Sequence, residues 1–484
     1  MSNTTQGSPT VMLPGIPDTI DHGRVIDQMV RRASSLGFES WWQRAESVGL
    51  CAHPIHLTGR DQFGRERVVW ARCNNRRATV CPSCSDLYAR DTWQLVHAGC
   101  QGGHHNIPTT IAGHPQVFTT LTAPSYGPVH GSAGRVCHDH THIGGYRRCQ
   151  HGKPLWCSRT HDQSDNAIGQ PLCGDCYDYT GHVLFTWYLP ELWRRFTITL
   201  RRRLAATLRA AGADPGTVRV SFVKVVEMQA RAIPHIHALI RLDPATSGGD
   251  SDTSGWGSPL SPTELAALIQ QAARSVTLTV DDNTTGLSRV PRFGIQIDAQ
   301  PIVNQPVSAD RVPAQPDSPT SGVPGRRVAG YLAKYVTKSL ADFGISFRRI
   351  TTAAIGELDV SDHVRAILST IAQLAETGAT GIGKWLHTLG YRGHITTKSR
   401  RYSTTMGALR TQRAHWNSNQ RSKGLVNQHD SADVVDIQTL WCFDRAGHAS
   451  LGDRVLVTSA ALRQIAARRV ALIESPQAPP QAGP

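Results

Sequence analysis

The chain has 484 residues, enough for two to four domains and at least one substantial core. Lysine and arginine number 51 against 37 aspartates and glutamates, and the formal net charge of +14 suits a polyanionic partner. No run of 18 apolar residues occurs, so no membrane span is expected, and the Met1–Pro9 start lacks the charged-then-apolar layout of a signal peptide. A cytoplasmic location is therefore expected. Eleven cysteines, several in Cys-x-x-Cys pairs, then fit metal ligation better than disulfides.

Residues 1–20 are polar and contain Pro and Gly, and disorder is expected there. From Val25 to about Leu50 the apolar residues recur at helical spacing, which predicts helix with Trp41 and Trp42 facing inward. Cys51, Cys73, Cys81 and Cys84 follow. Four thiolates satisfy tetrahedral zinc, and the Cys81-Pro-Ser-Cys84 knuckle places two sulfurs on one ion by local geometry. Buried free thiols are the plainer alternative. Arg72, Arg76 and Arg77 beside the knuckle are positioned for phosphate or for solvent. Residues 1–107 thus read as an N-terminal helical and zinc-binding region.

Residues 108–345 read as the core. Val117–Ala123 is its first strand, ending at Pro124. A Cys/His-rich insertion, 125–180, contains Cys137, His138, His140, Cys149, His151, Cys157, His161, Cys173 and Cys176. A second structural zinc is expected on Cys149, Cys157, Cys173 and Cys176, with His161 as a substitute ligand. Gly181–Gly212 reads as a basic helical stretch that Pro190 breaks or restarts. Its Arg194, Arg195, Arg201, Arg202 and Arg203 offer either a DNA-facing or a merely solvated surface.

Val220–Gln229 and Ile233–Arg241 are β-branched and apolar, with a short reversal between them that predicts a hairpin. Alternation puts His235 and His237 on one strand face, and Glu227, eight residues before His235, reaches that face if the strands pair. Two imidazoles and a carboxylate form a divalent-metal site with positions left open. A His-x-His pair is also compatible with ordinary packing. After a loop at Asp243–Gly257, Ser261-Pro-Thr-Glu264 supplies a capping box for a second helix. Val290–Ala299 reads as a strand and 300–326 as a flexible linker.

A helix is expected from Val328, with Tyr331 and Tyr335 at i and i+4 on one face, roughly 5–6 Å apart at Cβ. Lys334 and Lys338 repeat with the same period. Residues 346–474 read as a basic C-terminal DNA-binding region. It contains a helix at about Ser361–Thr377, strands near Thr439–Asp444 and Arg454–Thr458, and a helix at Ala460–Ile473. Lys398, Arg400, Arg401, Arg410 and Arg413, with Tyr391, Tyr402 and Trp416 among them, suit backbone contacts and stacking on unpaired bases. The tail 475–484 should be disordered. The core order of strand, insertion, helix, two strands, helix, strand, linker and helix predicts an α+β, ferredoxin-like sandwich. Its central sheet is antiparallel, with the histidine pair on central strands.

Together, the His235/His237 strand and the tandem Tyr-x-x-Lys helix resemble the HUH endonucleases, and within them the rolling-circle replication initiators with two active-site tyrosines. Val117–Pro124 is similar to the strand that opens such domains. Glu227-x-Gln229-x-Arg231, Gly390-Tyr391-Arg392-Gly393-His394 and Thr397-Lys398-Ser399-Arg400 resemble initiators of actinobacterial plasmids and integrative elements. The resemblance covers roughly residues 45–460. It implies a nickase that cuts one strand at a double-strand origin by metal-assisted tyrosine transesterification, leaving a 5′-phosphotyrosine link and a 3′-OH primer. Mg²⁺ or Mn²⁺ would be catalytic and Zn²⁺ structural. Partners would be duplex and single-stranded origin DNA and the host helicase and polymerase. Lys334 and Lys338 would lower a phenol pKa or stabilise the phosphate.

Three other readings compete. A conjugative relaxase shares the chemistry, but its nucleophile usually precedes the histidine motif, whereas both tyrosines here follow it. An iron oxygenase uses two His and a carboxylate. A zinc-containing DNA-binding regulator would keep the core without the reaction.

Overall fold

The computed structural model describes residues 13–16, 20–60, 64–131, 134–141, 145–162, 164–245, 256–282, 286–304, 323–337, 343–345, 349–377, 381–425 and 440–474. Most of the expected disordered start, most of the 300–326 linker and the 475–484 tail lie outside the described residues, as does Lys338.

In chain order the first elements are α1 (His22–Ala33), α2 (Phe38–Ser47), β1 (Ile55–Arg60), β2 (Glu66–Ala71), α3 (Pro82–Gln101) and β3 (Gln116–Leu121). Then come α4 (Tyr179–Ala210), β4 (Val218–Met228), β5 (Pro234–Pro244), α5 (Pro262–Ser275), β6 (Val280–Asp282), β7 (Leu287–Arg289) and β8 (Ile297–Pro301). The last are α6 (Gly325–Tyr335), α7 (Asp362–Glu376), β9 (Thr396–Lys398), α8 (Met406–Leu425), β10 (Cys442–Ala446) and α9 (Leu451–Glu474). The protein is α+β, with antiparallel sheets. Among the described residues no helix is long and apolar enough to cross a membrane.

Two compact units form, and they do not follow the three consecutive regions read from the sequence. One contains residues 1–92 and 405–484, the other 93–404. The physical reason is strand pairing. β10 adds to β1, giving the sheet β10-β1-β2 and joining segments far apart in the chain, whereas β9 adds to β4 in the second unit.

In the first unit the expected helix from Val25 to Leu50 is two helices, with Ser34 closing α1 and Gly37 opening α2. Trp41 is buried with Ala45, Val457 and Ala461, while Trp42 is half-buried. Arg32 donates to both carboxylate oxygens of Asp453 at 2.9 Å, tying α1 to α9. The strand expected at Arg454–Thr458 is instead part of α9. Its β-branched Val455 and Val457 bury against Val25 and Trp41 respectively, so tertiary burial on helical faces overrides local strand preference.

The second unit is built on the sheet β8-β3-β5-β4-β9, antiparallel throughout. One face carries Val117 and Leu121 of β3, Val220 and Val226 of β4, and Ile236, Ala238, Ile240 and Leu242 of β5. These pack under Phe185, Leu189, Leu192, Phe196 and Leu200 of α4 and Leu265 and Ile269 of α5. Ser261 caps α5 in the expected capping box. Pro190 does not break α4, which runs unbroken over 32 residues. An interior proline costs about 3 kcal/mol, but each fully buried Leu or Phe on the flanking turns returns roughly 1.5–3 kcal/mol. Of the strand expected at Val290–Ala299 only the end is strand, continuing into β8. Gly294 donates to Thr122 O where a Cβ would lie 2.6 Å from the Ala123 carbonyl oxygen, so the chain crosses at close range there. On its other side α4 buries Val183, Leu184 and Trp187 against Ile367, Leu368 and Ile371 of α7.

Candidate active site

The site occupies the face of the second unit's sheet that α4 and α5 leave uncovered. Residues of β4 and β5 pair in strict register: Glu227 lies opposite His235 and Val225 opposite His237, with Thr120 of β3 on the other side of His237. Period-two alternation brings the three candidate ligands, Glu227, His235 and His237, to one face. The turn between the strands is held tightly. Ala232 has φ +59° and its carbonyl accepts from His182 Nε2 at 3.2 Å, while the Arg231 carbonyl accepts from His363 Nε2 at 3.0 Å. Burial pushes His182 down to about 3 and lowers His363 too, so both rings are neutral. Their Nδ1 atoms therefore accept from the hydroxyls of Tyr177 and Tyr179, at 3.0 and 3.2 Å.

Glu227, His235 and His237 are all buried. The Nε2 atoms of His235 and His237 approach the same Glu227 oxygen, at 3.0 and 2.9 Å. Adjacent ligands of an octahedral ion with bonds of about 2.1 Å are separated by about 3 Å, which matches both imidazole–carboxylate edges, and all three donor atoms lie within 4.8 Å of one another. Thr120 Oγ1 lies 3.1 Å from His237 Nδ1. With the hydroxyl accepting, it holds the tautomer whose Nε2 lone pair is free for a cation. His235 Nδ1 is buried with no hydrogen-bond partner among the described residues.

The helix α6 lies over this group. Val328, Ala329, Leu332 and Ala333 anchor it, leaving Tyr331 exposed and Tyr335 half-buried. The Tyr331 ring stands 4.9 Å from the His237 ring at 90°, and the Tyr335 ring 5.5 Å from it at 31°. The two tyrosine rings are 4.4 Å apart, and Phe118 supports Tyr331 edge-on at 5.6 Å. Both phenols and both imidazoles thus share one small volume. The Tyr331 phenol is raised above its usual range by partial desolvation first, then by its hydrogen bond with Tyr335 and the nearby charge of Glu227. Lys334 is exposed, with its ammonium 5.7 Å from the Tyr335 ring centre.

Further along the same face lies a buried polar network that sequence reasoning missed. Asp243 accepts from His114 Nδ1 at 2.9 Å, Ser221 Oγ at 2.5 Å and Arg241 at 2.6 and 2.9 Å. Arg241 also donates to the carbonyls of Gly99 and Tyr402. Burial pushes the Asp243 carboxyl up, and the hydrogen bonds from His114, Arg241 and Ser221 more than reverse it, leaving Asp243 well below the usual range. Only the apolar alternation of β5 hinted that Arg241 would be buried.

The motif Gly390–His394 is a scaffold. Tyr391 donates to the His394 carbonyl at 3.0 Å, and buried Lys224 donates to the same oxygen at 3.3 Å. Tyr391 and Tyr402 are buried, which corrects their expected use as base-stacking platforms. Arg413 pairs with Asp91, and Arg194 and Arg195 both pair with Glu191.

Cysteine groups are found in both units. Cys51, Cys73, Cys81 and Cys84 converge in the first, with Cys51 Sγ 3.8 Å from Cys81 Sγ and 3.7 Å from Cys84 Sγ. These are tetrahedral edge lengths for Zn–S bonds of about 2.3 Å. Backbone N–H groups of Ala52, Cys73 and Cys84 point at the sulfurs. In the insertion the expected foursome is not assembled. Cys149, Cys173 and Cys176 converge with His151, whose Nδ1 is 3.3 Å from Cys176 Sγ. Cys157 lies instead with His130, Cys137 and His161. The reason is an antiparallel bridge between His138 and Cys157, which carries Cys157 away from the Cys149 turn.

A family profile described as "RepSA: Replication initiator protein, pSAM2" matches residues 37–462. The chain is 34% identical over 470 residues to a "Replication initiator protein" of Streptomyces ambofaciens, covering 92% of this chain and 95% of that one. No solved structure matches it.

Proposed function

Since the chain belongs to the RepSA family of replication initiator proteins, we propose that it starts rolling-circle replication by nicking one strand of its own origin through a tyrosine. The observation that carries this reading is the placement of the Tyr331 and Tyr335 rings 4.9 and 5.5 Å from the His237 ring. The sheet order supports a ferredoxin-like HUH core. β3, α4, β4, β5, α5 and β8 run strand-helix-strand-strand-helix-strand, with β8 and β3 beside the β5–β4 hairpin.

Glu227, His235 and His237 would hold Mg²⁺ or Mn²⁺, because two imidazoles and one carboxylate leave positions for phosphate and water oxygens. Such an ion supplies Lewis-acid polarisation of the scissile phosphate and neutralises charge developing on it. One tyrosine Oη attacks phosphorus while the bond to the 3′ oxygen breaks. The phenol proton goes to solvent, and the leaving oxygen takes up a proton to become the 3′-OH primer. The 5′-phosphotyrosine bond is still a phosphodiester, so rejoining needs no nucleotide cofactor. The second tyrosine, one turn away, cuts the regenerated origin while the first is still occupied. Lys334 and Lys338 pair with the phosphate charge. Duplex and single-stranded origin DNA are the substrates, with host helicase and polymerase recruited in the cytoplasm. The zinc ions expected in the two cysteine regions are structural: one on Cys51, Cys73, Cys81 and Cys84, another on Cys149, His151, Cys173 and Cys176. An iron oxygenase would have no use for paired phenols beside its carboxylate.

The test is incubation with supercoiled plasmid bearing the chain's own origin, with Mg²⁺ or with chelator. A nicked circle covalently attached to protein, formed only with the metal, is expected. Origin binding without nicking would support the regulator reading instead.

A further inference from the structure

Four side chains of the insertion are not used by the reaction, nor by the two structural zinc sites above. His130 Nδ1 lies 3.6 Å from Cys137 Sγ, and His161 Nε2 lies 3.4 Å from Cys157 Sγ. One donor atom from each of the four lies within 4.8 Å of every other. For Zn–S bonds of about 2.3 Å and Zn–N bonds of about 2.0–2.1 Å, a tetrahedral sulfur–nitrogen edge is about 3.6 Å. We propose that His130, Cys137, Cys157 and His161 form a further zinc site of the Cys₂His₂ type.

Three independent features support it. His161 Nδ1 is 2.6 Å from Asp165 Oδ2, an arrangement that places the proton on Nδ1 and turns the Nε2 lone pair toward Cys157. The Gly131 N–H points at Cys137 Sγ at 3.4 Å, as backbone amides do at thiolates. Finally, the backbone fixes both halves of the set. Cys157 and His138 exchange hydrogen bonds at 3.0 Å, and His130 both donates to Gln170 O and accepts from Gly169 N.

The site also has a structural consequence for the catalytic hairpin. Gly169, hydrogen-bonded to His130, presses on the turn before His235. A Cβ on it would lie 2.3 Å from the Ala230 carbonyl carbon and 2.6 Å from the Arg231 nitrogen. A zinc ion on His130 therefore stiffens the loop that backs the metal-binding hairpin.

Zinc content of the full-length chain, measured by native mass spectrometry, separates this arrangement from a single shared site. Cys149→Ser and Cys157→Ser each remove one ion relative to the unaltered chain, and the double variant removes two. A Cys157→Ser chain that loses no ion, or a double variant that loses no more than Cys149→Ser alone, overturns the proposal. Asp165→Asn binds the ion about 10–100-fold more weakly in chelator competition, and unchanged affinity contradicts the role given to Asp165. Should the serine variants misfold, the unaltered chain is alkylated with iodoacetamide with zinc or with chelator and mapped by peptide mass. Exposed Cys442 reacts in both cases and serves as control. Cys137 and Cys157 must be protected together by zinc, and equal labelling of either in the two conditions contradicts the site.

Discussion

Thr120→Val tests whether the hydrogen bond behind His237 sets the affinity for the cation proposed at Glu227, His235 and His237. The exchange is close in shape, leaves Glu227, His235 and His237 in place, and removes the hydroxyl that lies 3.1 Å from His237 Nδ1. Without it the imidazole loses both its fixed tautomer and the donation that raises the basicity of Nε2. Loss of such an outer partner typically weakens metal binding 10–100-fold, which is about 1.4–2.8 kcal/mol. The cost to folding should be smaller, about 1 kcal/mol for one half-buried hydrogen bond between neutral groups. The assay is origin-nicking rate against Mn²⁺ concentration, with Mn²⁺ binding measured separately by calorimetry. The half-saturating concentration should rise 10–100-fold, while the rate at saturating metal stays near that of the unaltered protein. An unchanged half-saturation point would refute the reasoning. So would a lower plateau at the same half-saturation, because Thr120 would then act on the chemical step.

Two further predictions concern the scaffold. Arg241→Met leaves the fully buried Asp243 carboxylate and the carbonyls of Gly99 and Tyr402 without their guanidinium, and should destabilise the second unit by about 3–5 kcal/mol; an unchanged urea midpoint contradicts this. His182 has a folded pKa of about 3 because burial disfavours its charged form, against an ordinary value of 6.5. The unfolded chain therefore binds more protons between those values, and the stability from neutral His182 is full above about pH 6.5 and is lost as pH falls toward 3. The stability advantage of the unaltered chain over His182→Asn should narrow by up to about 1.4 kcal/mol per pH unit from pH 6 to 4. A pH-independent difference would show that the ring does not resist protonation.

The parts of the site that could be read from the sequence follow simple periods. His235 and His237 share a face because strands alternate. Tyr331 and Tyr335 share one because helices repeat every 3.6 residues. Glu227 needed one added assumption, that β4 and β5 pair, and the register puts it directly across from His235. Cysteine partnership in the insertion has no such period. It depends on which loops cross, and the His138–Cys157 bridge is a long-range event that the spacing of Cys149 and Cys157 cannot reveal. Likewise, Tyr391 and Tyr402 lie in a basic stretch and yet bury their rings, because Tyr402 sits beneath Arg241, 4.9 Å from its guanidinium, and Tyr391 joins the core of the sheet. The β-branched run at Arg454–Thr458 misleads for a similar reason. Its helical form buries Val455 and Val457 in two different contacts, which strand preference alone does not weigh. Pro190 could be recognised as a disruptor, but the burial on either side that keeps α4 continuous was invisible locally.

The most direct measurement is whether a residue of this chain becomes linked to DNA, and which one. Origin DNA and the protein are incubated with Mg²⁺, the covalent complex is digested with nuclease and protease, and the nucleotide-bearing peptide is mapped by mass spectrometry. Nucleotide mass should be found on Tyr331 or Tyr335, and the Tyr331→Phe/Tyr335→Phe chain should still bind the origin but yield no adduct. A nucleotide on any other side chain, or an adduct from the double variant, would contradict the account.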